Sequence, residues 1–168
     1  MSKGELLVYG NFVVHPEYCG LDKLGIAERS KDGRYHVASA AFLGENCVFV
    51  FCGGKLLYQR PKFRLYHSEV RDGFVVGRPP EVVVLDSKRV LILICYELVF
   101  PGDYVHLLSS VDLVVHLVGV PMFSEEQREG WVALQQMVSL VGRCPLVCCC
   151  GGHLGRMNLT GVIEESES

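Results

Sequence analysis

LILICYELVFP, residues 91–101, runs an unbroken apolar series into a cysteine, then turns polar at Tyr96-Glu97 ahead of a Phe-Pro pair. A short continuous apolar run bounded by turn residues is the pattern of a strand buried on both faces. Residues 81–85 (EVVVL) are equally β-branched and are separated from it by Asp86-Ser87-Lys88, so a hairpin leads into the Cys95 strand. A thiol at the end of such a strand has two readings. It is core filling, the commoner fate of a cysteine in an apolar strand, or it is a nucleophile presented where the chain leaves the sheet.

The chain beyond Cys95 decides the fold class. Residues 102–110 form a short helix candidate with Asp103 near its start, where a carboxylate suits the helix dipole. Residues 111–118 make the next buried strand. The clearest helix spans 124–141, with Ser124 as N-cap, Gln127 three residues on, and Trp131, Leu134, Met137, Val138 and Val141 at helical spacing. Residues 146–150 (LVCCC) are the last strong strand. Strand and helix thus alternate, which calls for a largely parallel sheet covered by helices, an α/β architecture.

Upstream, residues 10–17 (GNFVVHPE) are a short apolar strand stopped by His15 and Pro16. Residues 21–34 are charged and glycine-containing, a loop with at most one helical turn. Residues 35–43 (YHVASAAFL) suit a short helix stopped by Gly44. Residues 47–52 (CVFVFC) and 55–59 (KLLYQ) flank Gly53-Gly54 as a hairpin. Residues 63–80 carry charges and glycines and form a long exposed loop of the kind that lines sites. Gly53-Gly54 and Gly151-Gly152 have no phosphate-loop spacing and are turns.

Composition bounds the rest. The 168 residues suffice for one domain, taken as 1–163, with an acidic tail at 164–168 expected to fray. Hydrophobic residues make up 49% against 21% charged, which excludes a disordered chain, and a net charge of -3 gives no reason to expect a nucleic-acid partner or an acidic membrane surface. No apolar run approaches the roughly 20 residues of a membrane helix, and MSKGELL has no secretory apolar core. A soluble cytoplasmic protein is expected. Its eight cysteines are then expected to be reduced, with disulfides as the alternative in a hot or oxidising cell.

Three strand ends carry chemically suggestive groups: Glu17, Lys62 and Cys95. A thiolate attacks a carbonyl or nitrile carbon, and a neighbouring ammonium favours the thiolate while a carboxylate takes the thiol proton. Lys62 also suits the oxyanion formed on attack, and Glu17 suits proton transfer to a leaving nitrogen and from water. Taken singly, each has a plainer reading as core thiol, solvated carboxylate or surface lysine.

Their order and surroundings carry a resemblance. VVHPEYCG, LLYQRPKFRL and LILICYELVFP resemble, in this order, the three signature stretches of the nitrilase superfamily, the carbon–nitrogen hydrolases. The resemblance implies a nitrilase-like α/β/β/α sandwich in shortened form, with Glu17 as general base and acid, Lys62 as oxyanion stabiliser and Cys95 as nucleophile. It further implies a substrate-positioning role for Glu69 and a backbone oxyanion contact from Tyr96. It implies a small amide or nitrile substrate, no cofactor, and self-association as a homodimer or higher homo-oligomer through residues 102–110 and 124–141.

His15 and His116, at strand ends near the expected crevice, are candidates to orient substrate or to serve as hydrogen-bonded structural histidines. The Cys148–Cys150 run lacks zinc-site spacing, and adjacent strand residues point to opposite faces; Cys144 and Cys148 with His153 are the minor metal reading, and buried strand thiols or a disulfide the main one. No metal site is expected. Two rival functions share the sequence: a catalytically degenerate family member kept as a structural or interaction protein, and a thiol redox protein.

Overall fold

The computed structural model describes residues 6–12, 25–42, 44–119, 124–150 and 161–163. Two sheets stack face to face. The first has strand order β1-β2-β3-β4, built from β1 (Leu6–Phe12), β2 (Tyr35–Phe42), β3 (Glu45–Cys52) and β4 (Lys55–Pro61). β1 and β2 run parallel, and β2, β3 and β4 are antiparallel. The second sheet has order β5-β6-β7-β8-β9: β5 (Val82–Leu85), β6 (Lys88–Ile94), β7 (Leu113–Val118), β8 (Leu146–Cys150) and β9 (Gly161–Ile163). Its centre, β6-β7-β8, is parallel, and both edges are antiparallel.

Burial follows from this layering. Val90 to Ile94 are all buried because β6 is covered on both faces, which is why its sequence shows no alternation. One contiguous core joins Val37, Val48 and Val50 of the first sheet to Leu91, Leu93, Val115 and Leu117 of the second. A smaller cluster on the outer face of the first sheet packs Ala38, Ala40, Phe49 and Phe51 under Ile26 of α1 (Ile26–Arg29). The 18-residue α3 (Glu125–Gly142) covers the second sheet, and Ser124 caps it by accepting the Gln127 N–H at 3.2 Å. Helix, two sheets and helix make the expected α/β/β/α sandwich. Among the described residues no helix is long and apolar enough to cross a membrane.

Six expectations need correction. Residues 35–43 form β2, not a helix: the small side chains that suit a helix also fit a strand pressed between two layers, and pairing to β1 and β3 prevails over propensity. The first strand lies at Leu6–Phe12, upstream of the 10–17 assignment, while residues 13–24 lie outside the described residues. β9 closes the second sheet where no strand was expected. The stripe of α3 holds at Trp131, Leu134 and Val138, which meet the core, but Met137 and Val141 are exposed while the polar Gln135 and Ser139 are buried. The loop at 63–80 contains one short helix, α2 (His67–Arg71), and 102–110 is two 3₁₀ turns, Pro101–Asp103 and Val105–Ser110.

Candidate active site

Cys95 is the first residue after β6 and opens the 3₁₀ turn Cys95–Val99. Its φ of 48° lies in the left-handed region, which costs a non-glycine residue about 1–3 kcal/mol unless the surroundings over-determine it. The surroundings do so. Glu97, two residues on, accepts the Ile94 N–H at 2.8 Å and so closes the turn over the strand end. His116 donates from Nε2 to the Cys95 carbonyl at 3.0 Å.

Glu97 also ties this turn to the first sheet. Its carboxylate receives both terminal nitrogens of Arg60, at 2.7 and 2.8 Å, and the Phe63 N–H at 2.7 Å. Arg60 and Glu97 are almost wholly buried. Beyond Phe63, Arg64 forks onto Asp103 at 2.6 and 2.8 Å and lies over the Phe100 ring, while Tyr66 meets Tyr96 edge-on at 5.2 Å. The segment that follows β4 is therefore clamped against the Cys95 turn on two sides.

Lys62 stands at the centre of that clamp, 2% exposed. Its ammonium meets Glu69 Oε2 at 2.7 Å. Glu69 is oriented in turn by the Tyr66 N–H at 2.6 Å and by the Asn46 side-chain amide, which donates to Oε1 at 2.7 Å. Asn46 also accepts the Lys62 backbone N–H at 2.7 Å, so one β3 residue anchors both members of the ion pair. Gly77 approaches from the other side, its N–H donating to the Lys62 carbonyl at 2.8 Å.

A Cβ at Gly77 would lie 2.3 Å from the Pro61 carbonyl oxygen, a backbone atom that cannot swing aside. Gly77→Ala is expected to push the end of β4 outward, costing about 2 kcal/mol and about 4–8 °C in the unfolding midpoint. A thermal melt with no shift would mean that this approach is looser than it looks.

Electrostatics link the parts. Burial pushes the Cys95 thiol up; the Lys62 charge and the nearby backbone N–H groups of Gly119 and Tyr96 pull it back, and Glu69 adds to the rise. Cys95 is thus held as a thiol until its proton is taken. Burial also pushes His116 down to about 4, with the Lys62 charge acting in the same direction. It is neutral at physiological pH.

The structure brings Lys62, Glu69, Cys95 and the Tyr96 N–H into one site. His116 is at its back, fully buried, with both ring nitrogens engaged by protein atoms, so it faces Cys95 and not a substrate. Glu17 and His15 lie outside the described residues, as do Cys19 and His153. Cys148 faces inward to Gln135 and Cys149 is half-buried, as expected of strand neighbours. A cavity of about 250 Å³ lined by Leu6, Tyr35, Leu85, Val90 and Leu113 opens at the start of β6 and β7, the opposite end from Cys95.

Sequence reading missed Arg60, Asn46 and Gln135. Only Gln135 left a signal, being a polar residue four positions from Trp131 on the helix face that meets the sheet.

No family model matches the chain, and no curated protein matches it. Solved structures do. A carbon–nitrogen hydrolase superfamily protein from Xanthomonas campestris, carrying an arsenic adduct in its active site, superposes with a TM-score of 0.74 at 16% identity, over 95% of this chain and 70% of that one. A variant of the amidase from Nesterenkonia sp. AN1, in which acrylamide has added to the active-site cysteine, gives 0.69 at 19% identity, over 88% and 67%. A carbon–nitrogen hydrolase from Helicobacter pylori G27 gives 0.67 at 13%, over 87% and 61%. The chain has the fold of the nitrilase, or carbon–nitrogen hydrolase, superfamily, and spans about two thirds of the length of these structures.

Proposed function

We propose that the chain is a carbon–nitrogen hydrolase, with 1–163 as its domain, that cleaves a small amide through a thioester on Cys95. The observation that carries this reading is a buried lysine, fixed by a carboxylate, acting on a buried thiol that is held in a strained backbone conformation at the end of a central strand. Strain and perturbed ionisation of this kind cluster at sites of chemistry.

Because burial favours the thiol over the thiolate, proton removal has to accompany attack, and that role is assigned to Glu17. The Cys95 sulfur bonds to the amide carbon as its proton passes to Glu17. Lys62 and the Tyr96 N–H hold the oxygen as it gains charge. The tetrahedral centre collapses, the carbon–nitrogen bond breaks, and the amine leaves with the proton from Glu17. Water, deprotonated by Glu17, then attacks the thioester; the acid departs, and the thiolate recovers the proton. Glu69 positions Lys62 and the substrate nitrogen. These steps use side chains and backbone groups of this chain alone. The exposed Met137, Leu140 and Val141 of α3 offer the apolar face for a second copy.

The test is intact-mass labelling with limiting iodoacetamide across pH, beside an amide hydrolysis screen, for the native chain, Lys62→Ala and Glu17→Gln. One adduct mapping to Cys95, slowed about tenfold by Lys62→Ala as roughly 1.4 kcal/mol of thiolate stabilisation is lost, supports the assembled site. Slow labelling scattered over several cysteines and indifferent to both substitutions would leave the scaffold without its chemistry.

A further inference from the structure

Behind Cys95 lies a buried polar cluster that the steps above do not use. His116 of β7, fully buried, donates from Nε2 to the Cys95 carbonyl at 3.0 Å. Gln135 of α3, equally buried, places Nε2 2.9 Å from His116 Nδ1 and 3.1 Å from Cys148 Sγ. Trp131 holds the imidazole from the helix side, with ring centroids 5.5 Å apart.

Chemistry settles the hydrogen positions here. The Cys95 carbonyl only accepts, so Nε2 carries the proton. In a neutral ring Nδ1 then bears a lone pair and needs a donor, which the Gln135 amide nitrogen supplies. Reversing the amide would set oxygen against a lone pair, so its orientation is fixed as well.

The consequence runs through one peptide group. The Cys95 carbonyl and the Tyr96 N–H belong to the same planar unit and point in opposite directions. Fixing the carbonyl therefore fixes the N–H, which lies beside the Cys95 sulfur and favours its thiolate. We propose that Gln135 and His116 act as a tautomer lock: Gln135 selects the Nε2–H form of His116, and His116 holds the Cys95–Tyr96 peptide plane so that the Tyr96 N–H is aimed at the reacting atoms. Both are positioning residues. The inference rests on Cys95 being the nucleophile, since only then does the aim of this N–H govern rate.

The experiment compares the native chain with His116→Phe, which keeps a ring beside Trp131 and removes the donor, and His116→Gln, which restores an N–H at similar reach. Gln135→Met removes the amide and keeps the length. The probe is p-nitrophenyl acetate, whose carbonyl carbon bonds to Cys95 sulfur as p-nitrophenolate leaves and the thiol proton is lost. The acylation rate is expected to fall about tenfold in His116→Phe with KM little changed, and to recover mostly in His116→Gln. The Cys95 alkylation profile shifts to higher pH in His116→Phe, because a thiolate donor is misaimed. Nitrogen-15 shifts of His116 report Nε2–H in the native chain and a mixture in Gln135→Met. Native acylation with His116→Phe equally fast, or an Nδ1–H imidazole in the native chain, would overturn the lock. Absence of any Cys95 acylation in the native chain instead overturns the nucleophile reading, and the lock is then judged by the alkylation profile, which an indifferent His116→Phe would refute. If His116→Phe fails to fold, Gln135→Met carries the same rate and tautomer comparisons.

Discussion

Glu97→Ala is expected to lower the unfolding free energy by about 3–5 kcal/mol, because it leaves the Arg60 charge buried and unpaired. The carboxylate accepts four hydrogen bonds, two from Arg60 and one each from the Phe63 and Ile94 N–H groups, all at 2.7 or 2.8 Å. Removing it strands a guanidinium with no exposed surface and two backbone donors. Arg60→Met with Glu97→Leu separates the parts. An apolar pair removes the stranded charge, yet the Phe63 and Ile94 N–H groups remain without an acceptor, so the double variant should recover only part of the loss. Urea titration of both variants measures this, and a loss below about 1 kcal/mol for Glu97→Ala would mean that water reaches Arg60. The pair also has a chemical consequence, since Phe63 follows Lys62 and Ile94 precedes Cys95. One carboxylate therefore sets the spacing between the ammonium and the thiol, and the single variant should slow Cys95 alkylation as well.

This keystone shows what the sequence could not disclose. Glu97 was visible as the acidic residue after Cys-Tyr, but its partner Arg60 lies 37 positions upstream on a hairpin strand, where nothing in the local pattern marks an arginine as buried. β6 was legible because a central strand covered on both faces needs a continuous apolar run. β2 was not, because alanine and serine satisfy a helix and a tightly packed strand alike, and the choice is made by β1 and β3. The stripe of α3 was legible only in part, with Trp131, Leu134 and Val138 on the core, for a related reason. Periodicity sorts residues by polarity, whereas Gln135 and Ser139 are buried by virtue of partners, the His116 ring and the Cys144 carbonyl. Met137, Leu140 and Val141 are left on the outside. In the site, Lys62 pairs with Glu69 and its charge acts on Cys95, while Glu17 lies outside the described residues. The residues that hold them, Asn46, Arg60 and Gln135, are common polar types whose positions acquire meaning only after folding.

His116 makes stability depend on pH in a window of its own. Its pKa falls from 6.5 to about 4 on folding, chiefly through burial. The unfolded chain therefore binds the proton first as acid is added, and stability, undiminished above about pH 6.5, declines as the pH falls from there towards about 4. The full loss is about 3 kcal/mol, the free-energy equivalent of the shift. Carboxylates held low in the fold titrate below this window: Asp32, kept at about 2 by the Arg34 backbone and side chain, and Asp112, bound by Arg89, lose their contributions under more acidic conditions. Urea unfolding at pH 7.5, 6, 5 and 4.5 should thus show a decline of close to one proton, and His116→Phe should flatten it by that amount even if its absolute stability differs. A native profile that is level from pH 7.5 to 4.5, or a slope that survives His116→Phe, would show that the ring is not sealed from water. The same protonation undoes the Gln135 contact behind Cys95. An imidazolium carries a proton on Nδ1, which then faces the Gln135 amide donor, so the amide must turn to present its unpartnered oxygen and gives up its contact with Cys148. The Nε2–H that holds the Cys95 carbonyl is kept in the imidazolium, so the site should keep its geometry through the interval in which the fold loses stability.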